Sequence, residues 1–348
     1  MPGRVALLAP FAGPSVRGNA ITVDRIARGL RDRGVELGVW DLSVTAEATV
    51  EAEVQAYAPA LIHAFHAFRV GPQALRLARR AETPLVVTMT GTDANHDLFD
   101  PSRASVVRRV LEGASALTVF HASIGDRIAA ALPDLRARTA IVPQSVRMDV
   151  GEPFDLGARW SLPRERVLFV FPAGIRMVKD PRFPLVPFDR LIVRHPHARL
   201  LYAGPVLDRE EGDALQRALE PRPWARYVGA VPHRQMASLL AQADVVLNCS
   251  ISEGGMANSV LEALVMRRAV LASDIEGNRP LVEDGVTGLL FRDAAQFEAQ
   301  AERLVLDASL RARLGGTGHD RVLQLYPPER EILGYLDVYQ RLVPARAV

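Results

Sequence analysis

Two glutamates flank a glycine turn in the second half of the chain, within the segment Cys249-Ser-Ile-Ser-Glu-Gly-Gly-Met-Ala-Asn-Ser-Val-Leu-Glu262. The apolar run at 244–248 predicts a buried strand before the turn, and residues 260–266 have helical spacing after it. Amides at a helix N-terminus attract an anion, and glycine allows it to approach closely. The carboxylates of Glu253 and Glu262 can accept hydrogen bonds from sugar hydroxyls. The segment therefore predicts a site for a sugar joined to a phosphate.

A second candidate surrounds Lys179, the single lysine among the 42 basic residues of the chain. Arg176 and Gly174 precede it in a turn that follows a predicted strand. A lysine ammonium and an arginine guanidinium can together hold phosphate oxygens and neutralise a leaving diphosphate. The alternative is a surface lysine beside a turn. We favour the phosphate role because ligands of parallel sheets bind at the carboxyl ends of strands.

These residues need a scaffold, and the hydrophobic pattern predicts an α/β protein with two doubly wound, Rossmann-like parallel sheets. The alternation of apolar runs and amphipathic segments pauses over the polar residues 145–164. We therefore expect an N-terminal acceptor domain at 1–150, a C-terminal donor domain at 151–328 and, within 329–348, a helix that packs back on the first domain. Facing domains would form a central cleft for the ligand. The predicted strands lie near 4–9, 35–40, 60–65, 84–89, 116–121, 139–142, 167–171, 200–203, 227–231, 245–248, 270–273 and 288–291.

Composition indicates a soluble enzyme. The chain has 348 residues, enough for two domains, and 49% of them are hydrophobic. Its net charge of +2 gives no reason to expect nucleic acid as a partner. We find no transmembrane segment. Membrane association stays open, although no feature supports it, and the sequence does not define the oligomeric state. The lone cysteine, Cys249, fits a cytoplasmic location and is expected to serve packing.

The motifs resemble those of the retaining glycosyltransferases with the GT-B fold, specifically family 4, also called glycosyl transferases group 1. The resemblance covers nearly the whole chain and rests on the Lys179 turn, the glutamate pair and the segment 274–288. It implies a hexosyltransferase-type enzyme that moves a sugar from a nucleotide diphosphate sugar, most often a UDP-sugar, to a small-molecule or glycan acceptor. The details GIRxVKDP, SEGGMAN and TGTD are similar to the "glycosyltransferase 1 domain-containing" branch and to selenosugar synthases.

The resemblance also implies roles for individual residues. Glu253 would hold hydroxyls of the donor sugar, Glu262 the ribose, and Arg176 with Lys179 the diphosphate, so that Glu253, Arg176 and Lys179 form the catalytic set. Eight residues separate the glutamates, one more than the family usually has, and we expect the glycine turn to absorb it. The remaining donor-site candidates are Gly174, Gly254, Gly255, Met256, Ala257 and Asn258, with Gly18 and Asn19 from a glycine loop at 13–20.

Other candidates are less specific. Acceptor-side or sugar-side residues are sought after the predicted strands of the first half, and base contacts in the loop that resembles the family's base-binding region. For Asp93 and Asn19 the alternative is helix capping, and for His66 and His121 it is a structural role. The loop of His233 is expected to contact the base through its backbone. These candidates are Thr90, Gly91, Thr92, Asp93, His66 and His121 on the acceptor side, and Gly229, Val231 and His233 in the base-binding loop.

We expect no metal and no cofactor. The histidines lack ligand spacing, and no two aspartates are separated by a single residue, as in the Asp-x-Asp site of metal-dependent transferases. The resemblance attributes retention to attack on the face from which the diphosphate leaves, with the leaving phosphate helping to deprotonate the acceptor.

Three functions compete. The first is a sugar transferase with a hydroxyl acceptor. The second keeps the donor site, as with UDP-GlcNAc, and makes a selenosugar or thiosugar from selenophosphate or a thiol. The third is a non-catalytic nucleotide-sugar-binding protein. The two glutamates and the lone lysine favour the first.

Overall fold

The structure, a computed structural model, describes residues 3–12, 18–148 and 151–343. It divides into two compact units. Unit 1 comprises Met1–Ser145 and Tyr326–Val348, and unit 2 comprises Val146–Leu325. Each unit has its own six-stranded parallel sheet, so the expected α/β architecture with two Rossmann-like sheets is confirmed.

The sheet of unit 1 has the strand order β2-β1-β3-β4-β5-β6. Its four central strands are mainly apolar and are buried throughout, as is usual in a parallel sheet that is covered on both faces. The strands are β1 (Val5–Ala9), β2 (Leu37–Asp41), β3 (Leu61–Phe65), β4 (Leu85–Thr88), β5 (Ala116–Val119) and β6 (Thr139–Ile141). The helices between them are α1 (Gly18–Asp32), α2 (Glu47–Tyr57), α3 (Gly71–Arg80), α4 (Ala104–Gly113) and α5 (Ala122–Ala131).

The sheet of unit 2 has the order β9-β8-β7-β10-β11-β12, so the strand order changes direction between β7 and β10. Ligands of doubly wound sheets bind outside the strand ends at such a point. The strands are β7 (Val167–Pro172), β8 (Ala198–Ala203), β9 (Ala225–Tyr227), β10 (Val245–Asn248), β11 (Ala269–Ser273) and β12 (Leu289–Phe291). The helices are α6 (Leu185–Arg194), α7 (Arg209–Leu219), α8 (His233–Ala241), α9 (Asn258–Val265), α10 (Ala294–Leu306) and α11 (Ala308–Leu325).

A final helix, α12 (Pro328–Leu342), belongs to unit 1 and packs against α1. Glu331 is nearly fully buried and forms a two-pronged ion pair with Arg25, with both N–O distances at 2.9 Å. Ser145 donates a further hydrogen bond to the same carboxylate at 2.5 Å. Removing one partner of a buried pair leaves an uncompensated charge, so this contact fixes the register of α12 on the unit.

The strand predicted at 227–231 was placed wrongly, since β9 ends at Tyr227. Gly229 has a φ of +82°, which breaks extended geometry. Val231 is buried although it lies in a loop. Its burial explains why the apolar pattern continued past the end of the strand.

None of the helices in the described ranges has the length and hydropathy that a bilayer-spanning segment requires.

Candidate active site

Two loops of unit 2 meet where the strand order changes direction. The loop after β7 forms a short 3-10 turn, Met177–Lys179, and the loop after β10 carries Glu253. Because β7 and β10 are neighbours in the sheet, residues 74 positions apart in sequence come together. A backbone hydrogen bond from the Ile251 amide to the Val178 carbonyl, 2.9 Å long, ties the loops to each other.

Glu253 is held by three donors on one carboxylate oxygen. Its Oε1 contacts the Lys179 ammonium. The same oxygen accepts hydrogen bonds from the Ser250 hydroxyl at 2.6 Å and from the side-chain Nδ2 of Asn248 at 3.1 Å. Burial by itself raises the pKa of Glu253. The Lys179 ammonium and the hydrogen bonds from Ser250 and Asn248 outweigh it and bring the pKa below its usual value. An ionised carboxylate and an ammonium thus share one largely buried site, with about a tenth of each side chain exposed.

A second set of polar residues supports this arrangement. The side-chain Oδ1 of Asn248 accepts a hydrogen bond from the side-chain Nδ2 of the fully buried Asn278 at 3.2 Å. The Ser273 hydroxyl donates to the backbone carbonyl of Ser250 at 2.6 Å. Sequence reasoning did not select Asn248, Ser250, Ser273 or Asn278 as site residues. The available signal was a polar residue ending the apolar run of β10, at a strand end where ligands bind.

Glycine is required beside Glu253. A Cβ at Gly277 would lie 2.4 Å from the Glu253 Cβ and 2.6 Å from the Gly255 carbonyl oxygen. Both distances are far shorter than van der Waals contact. Gly277 therefore lets the segment after β11 press against the glycine turn and hold Glu253 in place.

The glycine turn lies wholly before α9. Gly254 is partly exposed, and Gly255, Met256 and Ala257 are buried, with Ala257 as the N-cap residue and Asn258 as the first helical residue. Ala257 provides no side-chain cap. Because the turn ends before α9 begins, a residue inserted within the turn would leave the helix unrotated. Glu262 would then keep its position on the helix surface.

Glu262 and the loop after β9 meet through His233. The imidazole Nε2 of His233 lies 3.0 Å from Glu262 Oε1. Upstream in the same loop, Gly229 accepts a hydrogen bond from the Gly204 amide at 2.9 Å, and its left-handed backbone faces open space. The three residues predicted for the base-binding loop, Gly229, Val231 and His233, thus lie together, with Val231 anchored in the interior.

Gly174 and Arg176 complete the loop after β7. A Cβ at Gly174 would lie 2.6 Å from the Leu207 Cδ1, so this position favours glycine for packing. Arg176 precedes the 3-10 turn of Lys179 and is exposed to solvent.

In unit 1, the carboxylate of Asp93 is fully buried and accepts backbone hydrogen bonds. Its donors include the amides of Thr90 at 3.0 Å, Gly91 at 2.7 Å, Ala94 at 3.1 Å and Ala67 at 2.8 Å. The expectation that the Thr90 and Gly91 amides and the Asp93 carboxylate face a sugar is therefore wrong in this structure. Asp93 joins the loop after β3 to the loop after β4.

His66 is buried behind these loops, with Nδ1 3.8 Å from Asp93 and Nε2 3.9 Å from Asp97. Its ring also lies 3.4 Å from the Thr92 hydroxyl. Its φ of +83° is a strained value for a residue other than glycine. A side chain with 1% exposure does not line an open surface, which contradicts the predicted acceptor-side position.

The other candidates of unit 1 occupy helix starts. His121 is the N-cap residue of α5 and accepts a hydrogen bond from the Ser123 amide at 3.2 Å. This structural role was the alternative to acceptor binding. Gly18 and Asn19 are the first residues of α1 and are at least partly exposed. The rest of their predicted loop, 13–17, lies outside the described residues.

Comparison with known proteins indicates the class of the chain. The sequence model of the glycosyl transferases group 1 family matches residues 166–307. The glycosyltransferase 1 domain-containing protein 1 of Xenopus tropicalis is 26% identical over 334 residues, covering 94% of each chain.

Two solved structures share the fold. HepE of Anabaena, crystallised with UDP and glucose, has a TM-score of 0.79 at 14% identity, with 98% of this chain and 100% of that chain covered. Sucrose-phosphate synthase of Thermosynechococcus elongatus has a TM-score of 0.81 at 17% identity, with 98% and 99% covered.

The chain is therefore a glycosyltransferase with a GT-B-type fold. More narrowly, its second unit carries the sequence pattern of glycosyl transferases group 1, and the Lys179–Glu253 pair lies within that matched region.

Proposed function

We propose that this enzyme transfers a sugar from a UDP-sugar to an acceptor hydroxyl with retention of anomeric configuration and without a metal ion. The observation that carries the proposal is the Lys179–Glu253 pair at the strand ends of β7 and β10. In this pair, an ammonium able to neutralise a diphosphate lies beside a carboxylate able to accept hydrogen bonds from sugar hydroxyls. That HepE was crystallised with UDP and glucose supports the choice of donor.

Each side chain of the site has a part in this reaction. Glu253 accepts hydrogen bonds from donor-sugar hydroxyls, and its ionised state suits it for accepting. Lys179 and Arg176 neutralise the negative charge that grows on the diphosphate as the anomeric C–O bond breaks. Glu262 binds the ribose, and the loop around Gly229 lies beside the base.

The acceptor oxygen then attacks the anomeric carbon on the face that the diphosphate leaves. The proton of the acceptor hydroxyl moves to a leaving phosphate oxygen, so the products are the glycoside and UDP. Metal independence is supported by the two cationic side chains and by the absence of an Asp-x-Asp motif from the sequence.

A ligand screen followed by product analysis tests the proposal. We expect UDP-sugars to raise the melting temperature of the full chain more than GDP- or ADP-sugars, since ligands that bind only the folded state stabilise it. Incubation of the best donor with candidate acceptors should give a glycoside whose anomeric proton coupling in NMR matches that of the donor. Excess EDTA should leave the rate unchanged. An inverted product or a rate lost with EDTA would refute the corresponding part of the proposal.

A further inference from the structure

The contact between His233 and Glu262 joins two rigid elements. The Glu262 side chain, 7% exposed, extends from the second turn of α9, and His233 is the first residue of α8. An ionised carboxylate can only accept, so the imidazole Nε2 carries the proton and donates across the 3.0 Å separation. The imidazole is about one third exposed, so the pair lies at the edge of the site.

Buried neighbours on the same helices hold both partners in place. Val231 is buried two residues before His233, and Met236, Leu239 and Leu240 bury the inner face of α8. In α9, the neighbours of Glu262 along the chain, Leu261 and Ala263, are buried as well. Neither backbone can shift without disturbing the core of unit 2, and the imidazole therefore imposes one orientation on the carboxylate.

We propose that His233 is a positioning residue that orients Glu262 toward the ribose and thereby sets the preference for a ribonucleotide over a 2′-deoxyribonucleotide. This inference rests on the proposed function, in which Glu262 binds the ribose. A carboxylate fixed by one N–H donor directs its other lone pairs at hydroxyls in a defined direction. Without that donor the Glu262 side chain samples several rotamers, and the hydroxyl contact loses its geometry.

Calorimetric binding of UDP and 2′-deoxy-UDP to the full chain measures this preference. The wild type should bind UDP about tenfold or more tightly than 2′-deoxy-UDP, because one hydrogen bond to a charged group is lost. In His233→Ala the affinity for UDP should fall, that for 2′-deoxy-UDP should change much less, and the ratio should approach one.

Two further variants separate positioning from folding. His233→Gln keeps an N–H donor near the position of Nε2 and should restore most of the ratio. Arg234→Ala is the matched control, since Arg234 is the next residue of α8 and pairs with Glu152 in an exposed ion pair. It should leave the ratio at the wild-type value.

Two results would contradict the role proposed for His233. If the wild type prefers UDP and His233→Ala weakens both nucleotides equally, His233 has only a structural role and the inference is overturned. If the wild type binds neither nucleotide, the proposed function fails and the inference fails with it.

Discussion

The two units use the same kind of sheet but treat their polar residues in opposite ways. Both sheets are parallel, and the order of their strands reverses once, between β1 and β3 in unit 1 and between β7 and β10 in unit 2. At the strand ends of unit 1, His66 and Asp93 are buried and bonded within the unit. In unit 2, Lys179 and Glu253 remain partly exposed. The position of a polar residue after a strand therefore does not by itself indicate a ligand site, since the residues of unit 1 in this position are bonded within the fold.

The largest effect is expected from Lys179→Ala in unit 2. Under the proposed function the ammonium neutralises the diphosphate, so kcat/KM for the donor should fall by about 10³-fold, or ~4 kcal/mol, when it is removed. The pKa of Glu253 should rise as well, since its burial then lacks the opposing cation. A pH–rate profile of residual activity would show the shift.

Arg182→Ala is the matched control for this variant. Arg182 also pairs with a largely buried glutamate of unit 2, Glu211, at 2.7 Å. It should cost stability without a comparable loss of rate. Equal rate losses in the two variants would mean that the Lys179–Glu253 pair is merely structural.

In unit 1, Asp93→Asn should act on stability. An amide keeps one acceptor oxygen and turns an N–H group toward backbone donors, so the free energy of unfolding should fall by about 3 kcal/mol. Tryptophan fluorescence can follow this unit alone, because Trp40 lies in unit 1 whereas Trp160 and Trp224 lie in unit 2. Denaturant unfolding in a Trp160→Phe/Trp224→Phe background gives the value. An unchanged free energy of unfolding together with a loss of transfer activity would instead indicate that Asp93 contacts a ligand.

The stability of unit 1 should also depend on pH through His63. This fully buried residue lies between the Tyr339 hydroxyl and the Thr88 hydroxyl, each at 2.6 Å, and burial lowers its pKa to about 3. Because the unfolded chain binds the proton near pH 6.5, stability is full above that pH and is lost as the pH falls toward 3. The loss should reach about 2 kcal/mol at pH 5 relative to the plateau above pH 7.5.

The same Trp40 reporter measures this slope. His63→Gln removes the titrating ring and should give a flatter dependence over that interval, whatever its own cost in stability. A slope that stays the same in His63→Gln assigns the pH dependence to other groups.

The smallest effect is expected at Gly229. Its φ of +82° disfavours a side chain, although a Cβ would meet open space, so Gly229→Ala should cost about 1 kcal/mol. Gly285→Ala is a matched control, with φ +76° and equally open surroundings in unit 2. Both variants should lose similar stability, but only Gly229→Ala should weaken UDP binding. Equal UDP affinities in the two variants would remove Gly229 from the base-binding loop.

Much of the fold was predictable because buried parallel strands are continuous apolar runs. The positions of β1, β7 and β10 follow from that pattern alone. The end of β9 could not be predicted from the pattern. Val231 is buried in a loop, and hydrophobicity indicates burial rather than extended backbone. The order of strands is also invisible to local pattern, so the pairing of β7 with β10 had to come from the structure.

For the site as well, local sequence features were predictable, whereas contacts that depend on the order of strands were not. Lys179 and Glu253 stood out by residue type and position, but their direct contact depends on the strand order. Asn278 could not be selected, because its role is to support Asn248 from a loop 30 residues away. The sequence also could not separate Asp93 from a ligand-binding carboxylate, since its partners are backbone amides that every residue offers.

The position of α12 has a consequence for how the protein is made. Unit 1 contains α12, yet unit 2 lies between β6 and α12 along the chain. On a ribosome, the residues of unit 2 therefore emerge while the buried faces that receive Glu331 and Tyr339 are still uncovered. Domains fold during synthesis largely in the order in which they emerge. Unit 1 begins folding first but completes its core last, after the whole of unit 2 has been translated.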